Sequence, residues 1–190
     1  MKINKAVIKK MKPCQDRFDN FLVCCPGFDG NLQEFLSLDE ITYNDKVWAV
    51  TRLLTKTQSI HWAIMMADSV KHIFNEKYLG DKSVDNLINY LKSGLDFEKL
   101  SVEESAEIDR LRAAANSYAA SYASSYAAAY AAHAAACASS YTANYTACAS
   151  YASSYAACAA YDANAEKDQQ DLNLLFLNEV TQKEKSNEII

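Results

Sequence analysis

Ile60, Ala63, Ile64, Ala67, Val70, Ile73 and Phe74 recur at intervals of three and four residues, the repeat of one face of an α-helix. A core-facing helix is therefore predicted from Ser59 to the neighbourhood of Tyr78, where Gly80 lets the chain turn away. Val84, Leu87, Ile88 and Leu91 give a shorter amphipathic helix, capped by Asp81 or Ser83 and stopped at Ser93-Gly94. Upstream, the clusters Phe18, Phe21, Leu22 and Leu32, Phe35, Leu36 flank Pro26-Gly27 and Asp29-Gly30-Asn31, which reads as helix, turn, helix. Between these regions Asp39 or Asn44 caps a helix carrying Val47, Trp48, Val50, Leu53 and Leu54. Lys2, Lys5, Lys9, Lys10 and Lys12 make a solvated basic start on which Ala6, Val7 and Ile8 can dock.

Ser101-Val102-Glu103-Glu104 is a capping box, so a new helix begins there. Between Arg112 and Glu166 the one formally charged side chain is Asp162, and no Pro or Gly interrupts a run of Ala, Ser, Tyr, Cys, Asn and Thr. Alanine's high propensity favours helix throughout. From Tyr118 to Tyr161 the larger side chains fall about 3.6 residues apart on average, which lines them along one face. That spacing is about 3.8 before Tyr141 and about 3.3 after it, so the stripe drifts in opposite senses in the two halves. A break between Ser139 and Thr146, among residues whose side chains compete for backbone hydrogen bonds, favours a helical hairpin over one continuous rod. Leu172, Leu174, Leu175, Phe176, Leu177 and Val180 form a closing amphipathic helix over 166–182.

The expected fold is all-α: a helical bundle forming a single domain over 1–190, with short helices in 1–94 packed on a long Ala/Tyr-rich hairpin or rod in 101–165. Composition narrows the function. A net charge of −5 argues against a nucleic-acid binder, which needs clustered Lys and Arg. No stretch of about 18 or more strongly apolar residues suggests a membrane span. The six Cys follow a start without an apolar leader, and Cys137, Cys148 and Cys158 sit among small residues, so reduced thiols and a cytoplasmic location are expected.

No Gly-rich phosphate loop, nucleophile elbow or His-Glu-x-x-His pair occurs, so no enzyme and no cofactor are expected. His133 and Cys137 lie four apart on one helix but lack further ligands for zinc. His61, Asp68 and His72 share a face and suit either a metal pair or hydrogen-bonded side chains, with the second favoured. Vicinal Cys24-Cys25 lacks the spacing of a redox site. Tyr118, Tyr122, Tyr126, Tyr130 and His133 are the candidate binding residues. Their stripe reads first as core packing against small Ala side chains, and alternatively as a groove for a protein or an aromatic, nucleotide-like ligand.

The Ala/Tyr tract, its Ser101-Val-Glu-Glu-Ser-Ala-Glu start and the upstream Trp62-Ala63 to Phe74-Asn75-Glu76-Lys77-Tyr78 helix resemble an Ala-rich, all-helical immunity protein family of bacterial polymorphic-toxin systems, with relatives in phage genomes. Cys14 to Phe21 and Asp45-Lys46-Val47-Trp48 look like the openings of such proteins, whereas Asp81-Lys82-Ser83-Val84 replaces the family's more basic helix start. The resemblance implies a small binding protein that neutralises a toxin or defence effector by direct contact. Sequestration of a small nucleotide-like ligand between helices and a structural or assembly role are the alternatives, and a homo-oligomer is compatible with each.

Overall fold

The computed structural model describes residues 2–116, 134, 137, 148, 151–152, 155–156 and 166–187. Among these the fold is all-α, with a two-stranded antiparallel ribbon as its strand component. Two compact units divide at Leu53/Leu54, and each is built around its own apolar interior.

In the first unit β1 (Lys2–Asn4) leads into α1 (Lys5–Lys10), followed by α2 (Gln15–Cys24), β2 (Asp29–Asn31), α3 (Leu32–Leu36) and α4 (Tyr43–Thr51). The ribbon is a departure from the expected solvated start and turn. Ile3 pairs with Gly30 and is fully buried, so this one apolar residue among lysines fixes the strand register. Asn31 ends β2 and opens α3 with a capping box: its side chain accepts from the Glu34 amide at 3.0 Å, and the Glu34 carboxylate accepts from the Asn31 amide at 2.6 Å. Thr42, rather than Asp39 or Asn44, caps α4 by accepting from the Asp45 amide at 3.2 Å.

Gly30 lies beneath this cap. A Cβ there would stand 2.6 Å from the Phe28 ring and 2.6 Å from the Glu34 carboxylate oxygen. Gly30→Ala should therefore displace the ring, loosen the cap and lower stability by about 1–3 kcal/mol in denaturant unfolding. An unchanged midpoint would show that Phe28 and Glu34 move aside freely.

The second unit contains α5 (Lys56–Lys77), α6 (Ser83–Leu91), α7 (Val102–Asn116) and α8 (Glu166–Asn187). α5 opens three residues before Ser59 because Thr55 and Gln58 form a capping box. Its predicted stripe is buried apart from half-buried Ile73. It ends at Tyr78 and turns through Gly80 at φ +90°, a left-handed value that favours glycine. Asp81 then accepts from the Ser83 amide at 2.7 Å where α6 begins. Val84, Leu87, Ile88 and Leu91 are buried, and α6 packs on both α5 and α7. The Ser101 capping box closes as expected, at 2.7 and 3.0 Å.

α8 lies along α5, with only part of its predicted apolar set buried. Leu175 is exposed and Leu172 and Leu174 are half-buried, while Asn173 and Gln169 join Leu177 and Val180 in the interior. The two amides can be buried because they are partnered. Trp62 Nε1 donates to the Asn173 carbonyl at 3.0 Å, Gln169 Nε2 donates to Ser69 Oγ and to Asn173 Oδ1 at 2.8 Å each, and Gln58 Nε2 donates to the Val180 carbonyl at 3.4 Å.

Candidate functional site

Tyr118, Tyr122, Tyr126, Tyr130 and His133 lie outside the described residues, as does the stretch on which hairpin and rod would differ. Of the neighbouring thiols, Cys137 and Cys148 are half-buried, and Arg112 Nη1 donates to Cys137 Sγ at 3.5 Å. Burial, and secondarily Cys137, raises the Cys148 thiol above its ordinary pKa, so it is held as the poorly nucleophilic thiol. Cys14, Cys24, Cys25, Cys137 and Cys148 are free.

His61, Asp68 and His72 are not brought together as a ligand set; among the described residues no cluster of three His, Cys, Asp or Glu could hold a metal. His61 meets Phe97 edge-on with ring centroids 5.8 Å apart. Asp68 instead pairs with Lys71 at 2.8 Å and with Lys92 at 3.0 Å. His61, Asp68 and Lys92 border a groove of about 540 Å³ floored by Ile64, Met65, Leu91, Leu95, Phe97 and Val180. Burial pushes the Asp68 carboxyl pKa up, but the hydrogen bonds and charges of its two lysines outweigh it and leave the pKa below the ordinary value. A lowered carboxyl pKa contributes stability above its unfolded value near about 4, and that contribution is lost as pH falls through the folded value. Acid unfolding should thus be steeper below about pH 4 for the native chain than for Asp68→Asn. Superimposable acid profiles would remove Asp68 from the account.

A smaller, differently charged pocket of about 350 Å³ lies in the first unit. Ile8 of α1, Phe18 and Phe21 of α2, and Phe35 of α3 give it a buried apolar floor, completed by Ile41 and Ala49. They converge because α1 stops abruptly. Lys12 adopts φ 56°, its amide donating to the Lys9 carbonyl at 3.1 Å, and Pro13 prevents the helix from continuing, so α2 can fold back. A left-handed lysine is unusual, and here it stands on the pocket wall.

Three cations line this pocket, Lys12, Arg17 and Arg52, with Asp45 as the one acid. Arg17 Nη1 pairs with Asp45 Oδ2 at 3.1 Å, and Thr42 Oγ1 donates to the same oxygen at 2.7 Å. Asp45 is thereby committed. Arg52 sits one helical turn beyond Trp48, places its guanidinium 4.0 Å from the indole centroid and donates from Nη1 to the Trp48 carbonyl at 3.1 Å. Partial burial against this surface lowers the Arg52 pKa from its ordinary value: the guanidinium remains charged but incompletely solvated. Among the described residues neither Lys12 nor Arg52 has an ion-pair partner.

The sequence pattern places Lys12 in a solvated run and Trp48 among the apolar residues of a short helix, and it singles out neither arginine. The available local signal is the Trp48-x-x-x-Arg52 spacing, which stacks a cation on an indole within one turn. Fold and pocket together define an all-α protein with an apolar, cation-walled recess in its first unit. No described helix is long and apolar enough to cross a membrane. Compared with known protein families, curated proteins and solved structures, the chain matches none.

Proposed function

We propose that this chain is a non-enzymatic binding protein that neutralises a toxin or defence protein by direct contact, and that the recess of the first unit is its contact surface. The observation that carries this reading is the Trp48–Arg52 stack beside a buried Phe floor. Trp and Arg dominate the energetics of protein interfaces, and they do so next to desolvated pockets. The inhibitory role itself comes from the resemblance to all-helical immunity proteins. The alternative, sequestration of a nucleotide-like molecule, draws on the same cations. It is disfavoured by size, since about 350 Å³ is near the lower limit of small-molecule sites and suits one ring better than a base with its sugar and phosphates.

The test is co-purification from cells in which the chain is expressed, with the native sequence compared against Trp48→Ala/Arg52→Glu. A protein recovered with the native chain and reduced at least about tenfold with the double variant, at unchanged helix content, is the expected result. Equal recovery would overturn the assignment of the surface. Loss with Tyr126→Ala/Tyr130→Ala alone would transfer the contact to the tyrosine stripe. An ultraviolet-absorbing small molecule released on denaturation, in place of a protein, would overturn the proposed function in favour of sequestration.

A further inference from the structure

We infer that the recess recognises an acidic peptide segment of its protein partner with one aromatic residue as the anchor. This rests on the protein-binding reading above and adds the chemistry of the partner.

Charge gives the sign. With Asp45 taken up by Arg17 and Thr42, Lys12 and Arg52 remain as uncompensated cations on the wall, although the chain as a whole carries −5. A basic or neutral segment would leave both without a counter-charge, whereas carboxylates flanking the anchor complete them. Arg52 has further N–H donors beyond the one bound to the Trp48 carbonyl, and the planar guanidinium offers them in a fork that fits a carboxylate.

Size and floor give the anchor. A volume of about 350 Å³ over Phe18, Phe21 and Phe35 accommodates one aromatic side chain, which can meet the floor rings edge-to-face. The wall is also preorganised. The φ of 56° fixes where the backbone sets out the Lys12 side chain, and Arg52 is held by its stack and its bond to the Trp48 carbonyl, so part of the ordering cost on the Arg52 side is already met before the segment binds.

The test uses the full-length chain and a fluorescein-labelled peptide, Gly-Ser-Asp-Glu-Phe-Glu-Asp-Ser-Gly, titrated by fluorescence anisotropy to about 1 mM protein. Binding is expected, with at least about a tenfold loss when the peptide's Phe becomes Ala or when the protein carries Arg52→Ala, and a smaller loss with Lys12→Ala. Both protein variants alter exposed side chains, and unchanged circular dichroism and Tm exclude unfolding as the cause. Raising salt from about 0.05 to 0.3 M should weaken binding several-fold, as for contacts between partly solvated charges. No binding, or equal binding of a peptide with Lys at every acidic position, would overturn the acidic-anchor inference. Tighter binding of a single-stranded oligothymidylate would overturn it by making the occupant a nucleic acid. The protein-binding reading fails separately, when co-purification shows no partner that depends on Trp48 and Arg52.

Discussion

Trp62→Ala should lower the unfolding free energy by about 3–5 kcal/mol, a large share of the roughly 5–15 kcal/mol that holds a domain of ordinary stability together. Trp62 is fully buried on α5, and its indole N–H reaches the Asn173 carbonyl of α8 at 3.0 Å. Two effects combine in the variant: a ring-sized cavity and the loss of the one hydrogen bond that the Asn173 carbonyl accepts from the indole. Trp62→Phe separates them. It keeps most of the apolar volume but removes the donor that the Asn173 carbonyl has in addition to its own helix bond, which should cost about 0.5–1.5 kcal/mol by itself. Denaturant unfolding of the three proteins measures both terms. If Trp62→Phe were as stable as the native chain, the bond to Asn173 would contribute nothing and the α5–α8 contact would rest on apolar packing alone.

In the first unit the corresponding expectation is a loss of about 3–5 kcal/mol for Phe35→Ala. Phe35 is almost completely buried and meets two rings, Phe21 at 6.5 Å and 57° and Phe28 at 6.1 Å and 54°, both in tilted arrangements that favour aromatic pairs. Alanine removes the centre of this cluster along with part of the recess floor. Phe35→Leu retains much of the volume and should cost only about 1–2 kcal/mol. Hydrogen exchange at the amides of α2 and α3 would report the change directly, because protection there cannot exceed the stability of the packing that Phe35 completes. Undiminished protection in Phe35→Ala would mean that the ring cluster is peripheral to the core.

Helices whose apolar residues lie on a single face were readable from the sequence. The α5 and α6 stripes and the Ser101 cap stand where their spacing puts them, since each is fixed by local period and local hydrogen bonding. Thr55 and Gln58 carried an equally local signal, the same four-residue cap pattern, and it places the true start of α5. Asn173 and Gln169 could not be found this way. Polar residues are buried only where partners await them, and those partners, Gln169 apart, lie about a hundred residues away on α5. For the same reason Ile3 reads as an isolated apolar residue until β2 is laid beside it. The recess combines both situations. Trp48 and Arg52 share one helix turn, but the floor beneath them is assembled from α1, α2 and α3, and no periodicity records that convergence.

The α5–α8 seam also bears on how the protein is made. Its hydrogen bonds join residues separated by 100, 111 and 122 positions, unusually long closures for helical packing. At a synthesis rate of about 5–20 residues per second, α8 emerges from the ribosome roughly 5–20 s after the α5 residues it will cover. Throughout that interval Trp62 and the apolar positions beside it have no α8 to pack against. Nascent chains arrested before Glu166 should accordingly be held by chaperones or aggregate, and a pause placed after α5 should lower soluble yield more than one placed within α8.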